Sequence, residues 1–393
     1  MLKSHGQTNT KIVFVVLTWG VGFSEWEKAQ ILEREMRLFE EYLSQGIRVG
    51  IISSSQEDFS DQLKWQNRMA RYDLIFVRPR LVGSIFSLLG SNIIKEVKCL
   101  HKQKLSDVVF KSNQFLGAHL AALLAFHIRC RFIIRLGHSP IDQDRVIGQS
   151  LWYLLILKVY ENLLFICNAK WEFTTVQIKQ NVCQRHSRKV QSAIIPNYVD
   201  LEFWRKSNLD FSLNAPRKIG YYGRYTKQKN LANLIKAVAM VPNLHLTLIG
   251  EGEERHLLID LINTLGIKHR VDIRSRLHPN EIVVESAQWD FAVLPSLVEG
   301  NPKFVLEMFC LGIMVVATNV PGINDLIEDG KTGILANSET ASDLFKAIER
   351  ALNISKSDKK RICLNAKNKV EANYSVENVA RKQIDFYFQN RKA

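Results

Sequence analysis

The feature that most constrains this chain is a repeated unit: a short run of apolar, largely β-branched residues, then a turn, then a helical pattern. Lys11 to Leu17 (KIVFVVL) ends at a turn holding Gly20 and Gly22, a charged helical stretch from Glu25 to Gln45 closes at Gly46, and Ile47 to Ile52 opens the next unit. Leu74 to Val77, Val108 to Phe110 and Phe132 to Leu136 are further strand-like runs with helical patterns between them. Runs that are apolar at successive positions suit strands covered on both faces, and helical connections make such strands parallel.

The series restarts beyond Ile194-Ile195-Pro196-Asn197. After a polar stretch to Pro216 come Lys218 to Tyr222, a helical pattern from Asn230 to Met240, and His245 to Ile249 followed by Gly250-Glu251-Gly252. A helix to Leu265, the runs Val271 to Ile273 and Phe291 to Leu294, a helix from Pro302, and Ile313 to Ala317 complete the series. At 393 residues the chain exceeds a single core, which stops growing at roughly 250 to 300. The expected fold is α/β: two doubly wound, Rossmann-like domains, 1–200 and 201–374, with a linker over 196–216, facing each other across a cleft. The last helical stretch, Ser375 to Asn390 within 375–393, is expected to pack back on the first domain. Ligands of such sheets sit outside the carboxyl ends of the strands, so two facing sheets can enclose two substrates.

Net charge is +14, from 53 Lys and Arg against 39 Asp and Glu. Most of the surplus lies in the first 200 residues, with 26 basic against 17 acidic, compared with 27 against 22 beyond them. It gathers between Lys95 and Lys111, Arg129 and Arg135, and Lys179 and Lys189. Such a surface suits nucleic acid, anionic lipid or a phosphorylated substrate. No helix-turn-helix, zinc-finger or RNA-binding signature accompanies it, so nucleic acid is set aside. The six cysteines, Cys99, Cys130, Cys167, Cys183, Cys310 and Cys363, form no C-x-x-C pair. That argues against structural zinc and a disulfide framework; four lie in apolar runs and read as small buried hydrophobes of a reducing compartment. Phe115 to Phe126, and Leu151 to Cys167 with its Lys158 and Glu161, fall short of the roughly 20 apolar residues of a membrane span. Ile12 to Leu17 is too short for a signal-peptide core, so the expected location is cytoplasmic.

The residues best suited to chemistry lie in Pro295 to Glu307 (PSLVEGNPKFVLE). Asn301 is a favoured N-cap and Pro302 fits a first helical position, so a helix is expected to start there, after the strand Phe291 to Leu294. Its free N–H groups form an anion site. Glu299 and Glu307 would repel a phosphate but can accept hydrogen bonds from ribose or sugar hydroxyls. On spacing alone the alternative stays open, with Glu299 complementing the helix dipole and Glu307 facing solvent. In Tyr221 to Asn230 (YYGRYTKQKN), Arg224 and Lys229 follow a strand end, where they can balance a pyrophosphate; Lys227 reads as a solvated bystander.

These segments together resemble a known family. The E-G-x-P…E pattern of Glu299, Gly300, Pro302 and Glu307, the Gly223-Arg224…Lys229 turn, and Ile-Pro-Asn-x-Val-Asp over Ile195 to Asp200 are similar to the large retaining glycosyltransferase family 4 of GT-B fold, the glycosyl transferases group 1. The likeness covers roughly residues 190 to 350 and extends to the first domain only in general layout. It implies a nucleotide-sugar donor, with Glu307 on the ribose, Glu299 on the transferred sugar, and Arg224 with Lys229 on the diphosphate. By the same resemblance Gly250, Glu251, Arg276 and Leu277 border the nucleotide, and Gly300, Asn301, Pro302 and Lys303 offer helix N–H groups to the phosphates and sugar. The family implies a saccharide or lipid-linked saccharide acceptor, retention of configuration, and neither cofactor nor metal. Two departures bear on donor fit: Pro321-Gly322-Ile323-Asn324-Asp325 stands where relatives show Gly-Gly-x-x-Glu, and Met308-Phe309-Cys310 where they have small residues.

Weaker signals lie in the first domain. Gly20 and Gly22 follow a strand, but Glu25 breaks the dinucleotide fingerprint; the family places such a turn beside the donor phosphates, with a plain tight turn as the alternative. His138, just after the run Phe132 to Leu136, matches a family histidine that faces the sugar, with a surface loop histidine as the alternative. Asp142-Gln143-Asp144 has the metal-binding D-x-D form, yet it precedes the helical run Val146 to Cys167, so capping and dipole compensation account for it better. The leading expectation is a transferase extending a cell-surface polysaccharide or lipopolysaccharide precursor, with an anionic membrane surface as a further candidate partner. A nucleotide-sugar epimerase and a non-catalytic sugar-nucleotide-binding protein are the alternatives.

Overall fold

The computed structural model describes residues 11–77, 107–167, 169–186, 190–205 and 217–389, the side chains of 143–146 excepted. Strands β1 (Lys11–Val16), β2 (Arg48–Ser53), β3 (Asp73–Phe76), β4 (Asp107–Ser112), β5 (Arg131–Leu136), β6 (Lys170–Phe173) and β7 (Ser192–Ile194) form one sheet in the order β3-β2-β1-β4-β5-β6-β7. Strands β8 (Arg217–Tyr222), β9 (Leu244–Ile249), β10 (Val271–Arg274), β11 (Phe291–Leu294), β12 (Val315–Thr318) and β13 (Ile334–Ala336) form a second, in the order β10-β9-β8-β11-β12-β13. Every pairing in both sheets is parallel. The burial behind this is plain at β1, where Ile12 to Val16 are all buried and contribute alternately to cores on the two faces of the sheet. Phe14 lies opposite Gly50 on β2, and a Cβ at Gly50 would stand 2.2 Å from the Phe14 ring, so only glycine leaves that ring its place.

Long helical patterns proved to be pairs of helices. The stretch from Glu25 divides into Phe23–Lys28 and Leu32–Ser44, with Gln30 in the left-handed region at φ 54. The run toward Cys167 divides into Pro140–Ile147 and Leu151–Ile166. Gly148, at φ +79, turns the chain there, and the Ser150 side chain caps the second helix by accepting from the Tyr153 N–H. β6, β7 and β13 went unrecognised, each only three or four residues long, and β6 carries the charged Lys170 and Glu172. Most of the Lys95 to Lys111 cluster, Cys99, Lys189 and the linker beyond residue 205 lie outside the described residues.

The helix Val376–Phe388 returns to the first domain and packs on Leu32–Ser44. A buried polar relay holds it: Tyr42 donates to the Gln383 carbonyl oxygen at 2.6 Å, the Gln383 amide donates to Glu172 at 2.7 Å, and Glu172 also receives Tyr387 and pairs with Arg135. Each member satisfies another, as burial of charged and polar groups requires. Cysteine burial departs from expectation. Cys310 is buried, but Cys167, at the end of Leu151–Ile166, is exposed, because the apolar run containing it turns its outer face to solvent.

Candidate active site

A cavity of about 1060 Å³ lies between the two sheets, lined by residues that follow strand carboxyl ends. Gln114 follows β4, Gly137 and His138 follow β5, Gly223 and Arg224 follow β8, and Gly250 follows β9. Arg276 and Leu277 lie beyond β10, and Glu299 to Lys303 join β11 to the next helix. Glu307 lines the same cavity from within that helix. Of the residues singled out from sequence, Gly20, Gly22 and Glu251 are not in the lining. Gly20 has open space around its Cα, whereas a Cβ at Gly22 would collide with the Asp58 carboxylate. That carboxylate accepts the Phe23 and Ser24 N–H groups, each at 2.8 Å, so the glycine turn fixes a helix start. Glu251 is spent locally: its carbonyl accepts the Tyr225 N–H at 2.9 Å and its carboxylate faces Arg255 at 3.6 Å.

The helix after β11 is Lys303–Cys310, with Pro302 at the N-cap and no side-chain cap. Asn301, expected to cap it, instead ties the two domains together. Its side-chain oxygen accepts the Asn197 N–H at 2.9 Å, and its carbonyl accepts the Asn197 side-chain amide at 2.5 Å. Beside this pair a Cβ at Gly300 would stand 2.0 Å from the Gly137 carbonyl oxygen of the first domain. Gly322, at φ +83, sits against the Glu299 and Gly300 carbonyls, which gives the departing Pro321–Asp325 segment a structural role. Gln228 joins the two chemical loops: its carbonyl accepts the Leu297 N–H at 2.8 Å and its amide donates to the Val298 carbonyl at 2.7 Å.

Within this frame Lys229 donates to Glu299, which also accepts from Ser296 at 2.7 Å. The Arg224 side chain, by contrast, makes no hydrogen bond or ion pair among the described residues and is exposed to the cleft. His138 opens on the cleft between the two walls; desolvation first, and Arg224 second, hold its imidazole below the ordinary 6.5. Both favour the neutral imidazole. Glu307, buried, accepts from Tyr222 and faces Arg34 of the first domain at 3.4 Å. Glu35 receives Lys303 at 2.8 Å and Arg34 at 3.2 Å. Burial alone would raise the Glu35 carboxyl, but Lys303 and Arg34 outweigh it and bring it to about 2. Burial pulls the Lys303 ammonium below its ordinary 10.5 despite Glu35.

Arg34, Glu35, Tyr222 and Gln228 were not singled out from sequence. An acidic–basic pair inside a charged helix such as Leu32–Ser44 looks like any solvated helix face, so nothing local marked it. Asp142 is used differently from expectation: the Ser139 hydroxyl caps the Asp142 N–H, while the Asp142 carboxylate binds Arg185 at 2.7 Å and Asn181 at 3.1 Å. Asp144 lies outside the described side chains. No group of three His, Cys, Asp or Glu that could hold a metal occurs among the described residues.

Residues 206–369 match the family of glycosyl transferases group 1. The resemblance to the group 1 glycosyltransferases read from the sequence is thereby borne out over residues 206–369. An uncharacterized glycosyltransferase of Methanocaldococcus jannaschii is 27% identical over 70% of this chain and 72% of its own length. A lipopolysaccharide core biosynthesis glycosyltransferase of Rhizobium meliloti is 30% identical over 37% of this chain and 42% of its own length. Among solved structures, the Anabaena protein HepE in complex with UDP-glucose superposes with a TM-score of 0.71 at 17% identity, covering 95% of this chain and 98% of that one. The fold is thereby GT-B, two Rossmann-like domains across a cleft.

Proposed function

We propose that this glycosyltransferase moves a sugar, with retention of configuration and without a metal, from a nucleotide diphosphate donor to a saccharide or lipid-linked saccharide acceptor. The supporting observation is the convergence of Arg224, Lys229, Glu299, Glu307 and His138 on one interdomain cavity, with Arg224 unpaired among the described residues. Breaking the glycosidic bond builds negative charge on the leaving diphosphate oxygen and positive charge on the anomeric carbon. Fixed cations and N–H donors at the strand and helix ends stabilise the first of these. Arg224 offers its guanidinium directly; Lys229 exchanges part of its contact with Glu299 for the diphosphate. Glu299 then accepts from sugar hydroxyls and Glu307 from ribose hydroxyls, Arg34 giving way. Neutral His138 can accept or donate a hydrogen bond to the sugar without adding charge. The acceptor hydroxyl attacks on the face the diphosphate leaves, and the departing phosphate takes its proton, so no protein nucleophile is required.

UDP is the first nucleotide to test, because HepE binds UDP-glucose. Cell-surface polysaccharide or lipopolysaccharide synthesis at the inner face of a membrane is the setting we favour, supported by the Rhizobium relative and the basic first domain. A thermal-shift panel of nucleoside diphosphates and their sugars, followed by NMR assignment of the product anomer, tests the reading. Stabilisation by one nucleotide and an anomer matching the donor are expected. No stabilisation by any, or an inverted product, would refute it.

A further inference from the structure

The first domain carries a surface that the proposed transfer does not use. On the helix Leu151–Ile166, Trp152, Ile156, Val159, Leu163 and Ile166 are 78%, 64%, 51%, 57% and 72% exposed. Their separations of four and three residues align them along one side of the helix, while Leu157, Glu161 and Leu164 are buried on the other. Phe126, 80% exposed on the neighbouring helix Ala118–Ile128, extends the patch. Scattered exposed leucines are ordinary, but a contiguous apolar stripe over four turns marks a surface with a partner.

Three observations choose that partner. The helix is about 24 Å long, short of the ~30 Å hydrocarbon core, and no described helix is long and apolar enough to cross a membrane. Exposed Leu151 and Leu155 widen the stripe beyond the two-position seam that pairs helices, which favours a bilayer over a second copy. Charge agrees. Residues 108–199 hold 11 Lys and Arg against four Asp and Glu. Asp142 and Glu161 are bound to Arg185, and Glu172 is buried on Arg135. Lys158 and Arg129 are exposed beside the stripe, so this region repels its own copy and attracts anionic headgroups.

We propose that the Leu151–Ile166 helix, with Phe126, lies in the headgroup region of an anionic bilayer. The stripe starts beside the reaction cleft: Lys227, in the loop of Arg224 and Lys229, donates to the Ile147 carbonyl at 2.9 Å, four residues before Leu151. Seated this way, the cleft opens where a lipid-linked acceptor is presented; that consequence rests on the transfer reaction proposed above, whereas the seating does not. Basic charge alone would give adsorption that salt abolishes, but apolar insertion adds a part that salt leaves intact.

The test is flotation of the full chain with phosphatidylcholine vesicles, with or without phosphatidylglycerol, at low and high salt. The triple variant Trp152→Ser, Ile156→Ser, Leu163→Ser changes only exposed side chains, and its melting temperature verifies the fold. Wild type is expected to stay on anionic vesicles at high salt, and the triple variant to partition on the order of 10²-fold less. Brominated lipid should quench tryptophan emission in wild type and lose most of that effect in Trp152→Phe. Equal partitioning of wild type and variant, or complete release of wild type by salt, would overturn the proposal. So would a concentration-dependent dimer that the triple variant abolishes while vesicles bind neither protein. The nucleotide thermal shift of the triple variant is read in parallel: intact shift with lost vesicle binding separates failure of the seating from failure of the transfer reading.

Discussion

Replacing Glu35 by glutamine should weaken the joint between the domains in a pH-dependent manner. Glu35, from the first domain, receives Lys303 of the second at 2.8 Å and Arg34 of its own helix at 3.2 Å, with its side chain 19% exposed. Its carboxyl lies at about 2 when folded, against an ordinary 4.5. A depressed carboxyl stabilises the folded state fully above its unfolded value, and that stabilisation drains away as pH falls toward the folded one. The displacement corresponds to about 3 kcal/mol at pH 7 and roughly 2 kcal/mol at pH 3.5. Urea unfolding of wild type and Glu35→Gln at both pH values measures the difference between them, which should shrink by roughly 40% on acidification. An equal difference at the two pH values, or none at pH 7, would show that Glu35 is not held by these cations.

Other outcomes follow from the cavity. Arg224→Ala and Lys229→Ala should each reduce turnover on the order of 10²-fold if they stabilise the leaving group, while Lys227→Ala should do little; steady-state rates decide this. Glu307→Gln should weaken nucleoside diphosphate binding by roughly 10-fold or more, read by calorimetry, since one charged acceptor for ribose hydroxyls is lost. Chelation by EDTA should leave the transfer rate unchanged; restoration of a lost rate by added divalent ion would contradict metal independence.

How far the sequence carried depended on whether a signal was local. β1 and β2 were legible because both faces are buried and apolar residues run unbroken through their interiors, Ile12 to Val16 and Val49 to Ile52; β6, with Lys170 and Glu172 buried by partners from a helix more than 200 residues away, carries no such pattern. The cleft residues Glu299, Arg224 and Lys229 stood out because each lies near a strand or helix end with a motif around it, and Glu307 because it completes the motif that starts at Glu299. Arg34 and Glu35 did not, since their importance comes from facing Lys303 and Glu307 across the cleft. Asn301 shows the converse: its residue type suits an N-cap, but an opposite backbone claimed its side chain first.

The returning helix Val376–Phe388 has a consequence for biosynthesis. Its Gln383 and Tyr387 complete the polar relay under the first sheet, so that domain, though translated before the second, cannot seal its interior until residues 376–388 have left the ribosome. Nascent chains should therefore mature in reverse of their order of synthesis, the second domain settling before the first, and a stop codon ahead of residue 376 should harm the portion of the molecule farthest from it in sequence.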